Sequence, residues 1–146
     1  MNCNGDCCEI PEALLNHSPD TDMLCCLFKD QASLESFMGY DFSTMDEKAR
    51  GEYVRLHTLM IADELHEMLH EIPFFKPWKK YSMAEADNAI RWQKARMEMV
   101  DALHFFLSTC IALGFTAEEL FMMYEAKLQE NYTRQQNTAE YKKDTE

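Results

Sequence analysis

The chain has 146 residues, 47% of them apolar, with nine Phe and eleven Met against only four Gly and four Pro. That excludes a disordered tail and a many-stranded sandwich, and it favours one domain of long helices around a packed core. The formal net charge of −12 excludes nucleic-acid binding through a basic surface, because there is no cationic stripe to release counterions, and it means that an anionic ligand needs cations to reverse the field.

In chain order, residues 1–20 are polar and cysteine-rich, with Pro11 and Pro19, and read as a flexible arm. Cys3, Cys7 and Cys8 lack the second spaced pair that a zinc site needs. With no signal peptide and two adjacent Cys pairs, the six cysteines are expected to be reduced thiols of a cytoplasmic protein. Met23, Leu24, Leu27, Leu34 and Phe37 recur at helical spacing, which predicts a helix over 21–38 stopped by Gly39. Residues 43–46 resemble an N-cap, and a long helix is expected from there to about Glu71.

Pro73 and Pro77 break the pattern across 72–80. Ser82 and Glu85 form a capping-box candidate for a third helix running to about Leu113, where Gly114 stops it. The apolar stretch 102–115 is too short to span a bilayer, so no membrane segment is expected. Thr116 and Glu119 form a second capping box, opening a last helix to about Arg134. The expected architecture is an all-α bundle of four to five helices over 21–136, with a polar tail at 137–146.

Two carboxylate pairs stand out, Glu64-x-x-Glu67 and Glu98-x-x-Asp101. A spacing of three puts both acids of a pair on one helical face. If the two helices pack face to face, four carboxylates converge, and such a cluster repels itself unless a hard divalent cation lies within it. The plainer reading of the first pair is a solvated acidic face, extended by Asp63 and Glu71. The second pair sits in an apolar context, Met97 to Phe106, where an unpaired charge costs several kcal/mol. There the plainer reading is a buried salt bridge. His104 lies one turn beyond Asp101 and by itself reads as a hydrogen-bonded core histidine.

Tyr124, Lys127, Asn131 and Arg134 form one stripe of the last helix, either a phosphate grip or an ordinary charged surface. Lys76, Trp78, Lys79 and Lys80 make a basic turn directly after the first acidic pair, and Trp78 is expected to pack into the core.

Taken together, these segments resemble the all-α nucleotide pyrophosphatases, the superfamily of MazG and the dimeric dUTPases. The nearer likeness is to the dimeric dUTPases and their phage dUTPase/dCTPase relatives. The first block stands as Glu64-Leu65-His66-Glu67-Met68-Leu69-His70-Glu71, followed by Phe75-Lys76-Pro77-Trp78-Lys79. The second is Glu98-Met99-Val100-Asp101-Ala102-Leu103-His104-Phe105, and the third is Tyr124, Lys127, Asn131, Arg134 and Gln135. Gln31 and Leu34 match an early glutamine block, although Glu35 stands near where the family often carries asparagine.

The resemblance implies Mg²⁺ (with Mn²⁺ as an alternative) held by Glu64, Glu67, Glu98 and Asp101, with Glu64 or Glu67 as general base. It implies phosphate or sugar contacts from Lys127, Asn131 and Arg134, base contact from Gln31, and His104 near the deoxyribose or base. Lys76, Trp78, Lys79 and Tyr124 complete the expected substrate-binding set. The implied activity is hydrolysis of dUTP to dUMP and pyrophosphate by a homodimer, with dCTP or a broader set of deoxynucleoside triphosphates as the alternative. A reading of another class is a non-catalytic helical dimer that binds a metal or a partner.

Overall fold

Asp22 and Asp46 start two helices by the same device. Each side chain accepts the backbone N–H three residues on, Cys25 at 3.0 Å and Ala49 at 2.8 Å, and so satisfies a donor that every helix start leaves unpaired. Helix α1 is Met23–Phe37 and α2 is Glu47–Glu71. The computed structural model describes residues 22–72, 75–80 and 89–143, and it holds two further helices, α3 (Ala89–Ala112) and α4 (Ala117–Lys143). Among the described residues there is no strand, and the fold is all-α. The N-terminal arm and the Ser82–Glu85 capping box lie outside the described residues.

The reciprocal box at α4 is present: Thr116 N–H donates to Glu119 Oε2 at 2.9 Å, and Glu119 N–H to Thr116 Oγ1 at 3.1 Å. Unlike the sequence expectation, α4 does not stop near Arg134 but continues to Lys143. No Gly or Pro follows residue 116, and Gln, Ala, Glu and Lys in this stretch all tolerate helix well.

Helices α2 and α3 pack antiparallel along their length. Arg50 Nη1 donates to the carbonyl of Ala112 at 3.4 Å, and His57 meets the edge of Phe105 at 5.6 Å between ring centroids. Glu64 faces Glu98, and Arg91 pairs with Glu71 at 3.6 Å. Each step along this seam is seven residues on both helices, the spacing that keeps one helical face turned to its partner. Apolar and aromatic contacts occupy one end of the seam, and carboxylates occupy the other.

Helix α1 closes the apolar end. Phe28 is buried with Leu107, Cys110 and Ala117, and Leu24, Ile111, Phe115 and Leu120 pack around them. Beside this core lies a buried polar junction of three helices centred on Glu35, which is 1% exposed. Tyr53 from α2 donates to Glu35 Oε2 at 2.5 Å, Gln31 Nε2 donates to Glu35 Oε1 at 3.0 Å, and Ser108 Oγ from α3 also donates to Glu35 Oε1. The Tyr53 ring stacks on His57 at 3.7 Å. The junction fixes the register of α1 against the seam, because a shift of one residue would strand a buried carboxylate.

Gly114, at φ +86°, ends α3 in a left-handed conformation that L side chains resist, and the chain turns there. From α3 into α4 the direction changes by 103°. The first turn of α4 shares the core through Ala117 and Leu120; the rest leaves the body, exposing Phe121, Met122, Met123 and Tyr132. Among the described residues no single helix is long and apolar enough to cross a membrane.

Replacing Tyr53 with Phe removes one donor from a buried carboxylate and is expected to cost about 1.5–3 kcal/mol in urea unfolding. Burial, and then the Glu35 carboxylate, hold the Tyr53 phenol above its ordinary value of 10.0. The unfolded chain therefore gives up this proton first, and the native state loses stability as pH rises past about 10. Tyr53→Phe should flatten that alkaline decline; an unchanged slope would show that Tyr53 does not carry it.

Candidate active site

The helical seam brings the two acidic pairs to one place. Carboxylate oxygens of Glu64, Glu67 and Glu98 lie within 4.8 Å of one another, with Glu64 and Glu98 half-buried and Glu67 exposed. Asp101, also half-buried, lies close enough for its charge to act on Glu64. Desolvation, followed by repulsion from Glu67, Asp101, Glu98 and Asp63, raises the Glu64 carboxyl above its ordinary range. Clustered oxygens that resist sharing negative charge are the donor set a hard divalent cation requires, so the residues present fit a magnesium-type ion.

One helical turn beyond Asp101, exposed His104 connects this cluster to the buried junction. Its Nδ1 donates to Gln31 Oε1 at 2.7 Å, and Gln31 Nε2 donates to Ser108 Oγ at 2.9 Å as well as to Glu35. The direction of the chain of bonds follows from Glu35. Gln31 turns its NH₂ inward to Glu35 and Ser108 and its carbonyl towards His104, and because an amide oxygen only accepts, His104 carries a proton on Nδ1. The other ring nitrogen, Nε2, is left out of this chain of bonds. Gln31 itself is 4% exposed.

The remaining sequence-derived residues are distributed unevenly. Lys76 is half-buried and Lys79 exposed in the turn after α2, near the Glu71 end of the seam. Trp78 does not pack into the core as expected but is 80% exposed, because its turn carries it beyond the end of α2. Tyr124, Lys127, Asn131 and Arg134 are exposed on α4. Lys127 and Arg134 both pair with Glu130, at 2.6 and 2.9 Å. Such exposed pairs are well screened by water and hold these side chains only weakly. In sequence Tyr53 reads only as an apolar position of α2, Ser108 carries no signal, and Glu35 stands out only as a departure from the family's asparagine. The one local signal was Glu35 four residues after Gln31, the spacing of a helical side-chain pair.

Residues 23–113 match the dUTPase family model. The chain belongs to the dUTPase family. Its acidic pairs, Gln31, Glu35 and His104 all lie within the matched segment, whereas the α4 stripe lies beyond it. A dCTP pyrophosphatase of Enterobacteria phage LZ5 is 42% identical over 67 residues, covering 42% of this chain and 39% of that protein. A dCTP pyrophosphatase of Enterobacteria phage T4 is 43% identical over 42 residues, 29% of this chain and 25% of that protein. The chain thus spans well under half the length of these curated relatives. No solved structure matches.

Because folded Glu64 keeps its proton to higher pH than the unfolded chain does, this group adds stability on the acid side and withdraws it as pH rises through the raised range. A bound cation opposes that loss. At neutral pH a divalent cation at a hundredfold its Kd is expected to raise Tm by about 5–10 °C, with the increment shrinking as the carboxylates protonate. Glu98→Gln should abolish the increment; an equal rise in that variant would refute the site.

Proposed function

We propose that this dUTPase-family protein hydrolyses pyrimidine deoxynucleoside triphosphates, dUTP or dCTP, to the monophosphate and pyrophosphate. The observation that carries the reading is the convergence of Glu64, Glu67 and Glu98, with Asp101 beside them, on facing turns of α2 and α3. In this reading the four carboxylates hold magnesium, which when bound neutralises the triphosphate and lowers the pKa of its coordinated water. Glu64 or Glu67 takes the proton of the water that attacks the α-phosphorus in line, and pyrophosphate leaves. Lys76 and Lys79 stand at the end of α2 to meet departing phosphate charge, and Trp78 is exposed for stacking. The protein acts in this reading as a cytoplasmic homodimer, and the large apolar side chains exposed on α3 and α4 supply a surface for the second copy.

The activity is tested by magnesium-dependent pyrophosphate release. Replacing the base among Glu64 and Glu67 with Gln should lower kcat by about 10²–10⁴-fold. Wild-type protein that releases no pyrophosphate from any deoxynucleoside triphosphate in the presence of Mg²⁺ would leave only the non-catalytic reading.

A second reading concerns the base, and the polarity set by Glu35 favours it. With its proton held on Nδ1, a neutral His104 offers an acceptor at Nε2, which suits the 4-amino group of cytosine and not the 4-oxygen of uracil. The names of the phage relatives agree with dCTP. In a panel of dUTP, dCTP and dTTP, dCTP is expected to lead in kcat/KM. Glu35→Gln frees the Gln31 amide to turn over and should narrow the preference by about tenfold, the equivalent of one neutral hydrogen bond. A preference for dUTP that survives in Glu35→Gln would sink this assignment.

A further inference from the structure

Two histidines of α2 lie outside the acidic cluster. His66 and His70 stand four residues apart on one helical face, and both are exposed. At about 100° per residue they lie roughly 160° and 120° around the helix from Glu64, so they face away from the seam. Their rings meet edge to face, with centroids 4.3 Å apart and planes inclined at 67°.

His70 is oriented before any ligand arrives. Its Nδ1 lies 2.9 Å from the carbonyl of His66, and because a carbonyl only accepts, Nδ1 donates and carries the proton. In the neutral ring Nε2 then holds the lone pair. A backbone-bonded Nδ1 is the usual support of a metal-binding histidine, since it fixes the tautomer and raises the basicity of the other nitrogen. Phe75 meets the same ring edge-on at 5.5 Å, and Arg91 Nη2 donates to the His70 carbonyl at 2.7 Å, tying this turn of α2 to α3. His57 makes the same backbone bond to Tyr53, but at 6% exposure between Tyr53 and Phe105 it is closed to solvent.

The separation of the two rings matches what a shared ion needs. With metal–nitrogen bonds of about 2.0–2.1 Å, imidazoles at adjacent positions of one ion have centroids roughly 4.5–5 Å apart. A small change of side-chain torsion opens 4.3 Å to that distance. Asp63 falls on the same face, three residues before His66, and adds negative charge. Among the described residues only Glu64, Glu67 and Glu98 bring three ligand atoms within 4.8 Å of one another, so the histidine pair is a two-nitrogen site completed by water.

We propose that His66 and His70 chelate a divalent transition ion of the zinc and nickel class on the outer face of α2. Magnesium takes oxygen donors, whereas imidazole nitrogen suits zinc and nickel. Opposite faces of one helix then select different metals: carboxylates towards the seam, imidazoles outward. The inference does not depend on whether the acidic cluster releases pyrophosphate.

Nickel is a suitable probe, because it is paramagnetic and marks the residues nearest to it. In isotope-labelled full-length protein with reduced thiols and excess Mg²⁺, substoichiometric Ni²⁺ should broaden the amide signals around His66 and His70 first. His66→Asn with His70→Asn should remove that broadening and weaken Ni²⁺ binding in calorimetry by at least about tenfold. Glu98→Gln should retain both. The two histidines are exposed, so the melting curve of the double variant without metal should be little changed, which separates a lost ligand from a lost fold. Broadening centred on Cys25 and Cys26, or on Glu98 and Asp101, with the signals at 66–70 left sharp, would overturn the proposal. A double variant that binds Ni²⁺ as tightly as the wild type overturns it equally.

Discussion

Repulsion among the carboxylates of α2 and α3 is the constraint on which the rest of the structure depends. Left to itself, the cluster would push the two helices apart at that end; desolvation first, and this repulsion after it, raise the proton affinity of Glu64. The seam resists it by holding on at both sides. Arg91 ties Glu71 beyond the cluster, and the His57–Phe105 contact followed by the Glu35 junction anchors it on the near side. A cation placed within the cluster converts the same repulsion into binding energy. Stability and ligand affinity are therefore set against one another here, as is usual where an active site is prepared before its ligand arrives.

The Glu35 junction combines two roles that are usually separate. It is a buried carboxylate with three neutral donors converging on it, which makes the register of α1, α2 and α3 unique. It also transmits a direction through Gln31 to the imidazole of His104 next to the clustered carboxylates. An amide at position 35 would satisfy the same neighbours with either polarity. A carboxylate allows one polarity only. The choice of residue in a buried helix position thereby fixes the hydrogen-bonding character of an exposed one, across two helices.

Among the described residues much apolar surface is exposed, and it is ordered: a heptad stripe on α3 and a helix α4 that runs past the core. Hydrophobic surface in that arrangement is a strong drive to association, because covering it releases water without further ordering of the backbone.

Much was legible in the sequence. The helical periodicities, the caps at Asp46 and Thr116, the stop at Gly114 and the two acidic pairs all follow from local rules in which side chains act on backbone within a few residues. Even the convergence of Glu64 with Glu98 was implied, since spacing of three on two helices leaves one face to share. Three things were not legible, because each depends on distances between residues far apart in the chain. Tyr53 and Ser108 gained their meaning only when packing placed them around Glu35; Trp78 lies outside the core because its turn carries it past the end of α2. The Tyr124–Arg134 stripe looked like part of the same site as the carboxylates, and only the angle at Gly114 set them apart. The sequence by itself determined the helices and which helical face each acidic and basic residue occupies, because both follow from spacing along the chain. The tertiary structure decided which faces meet, because the direction of a helix after a turn is fixed by packing and not by the residues of the helix alone.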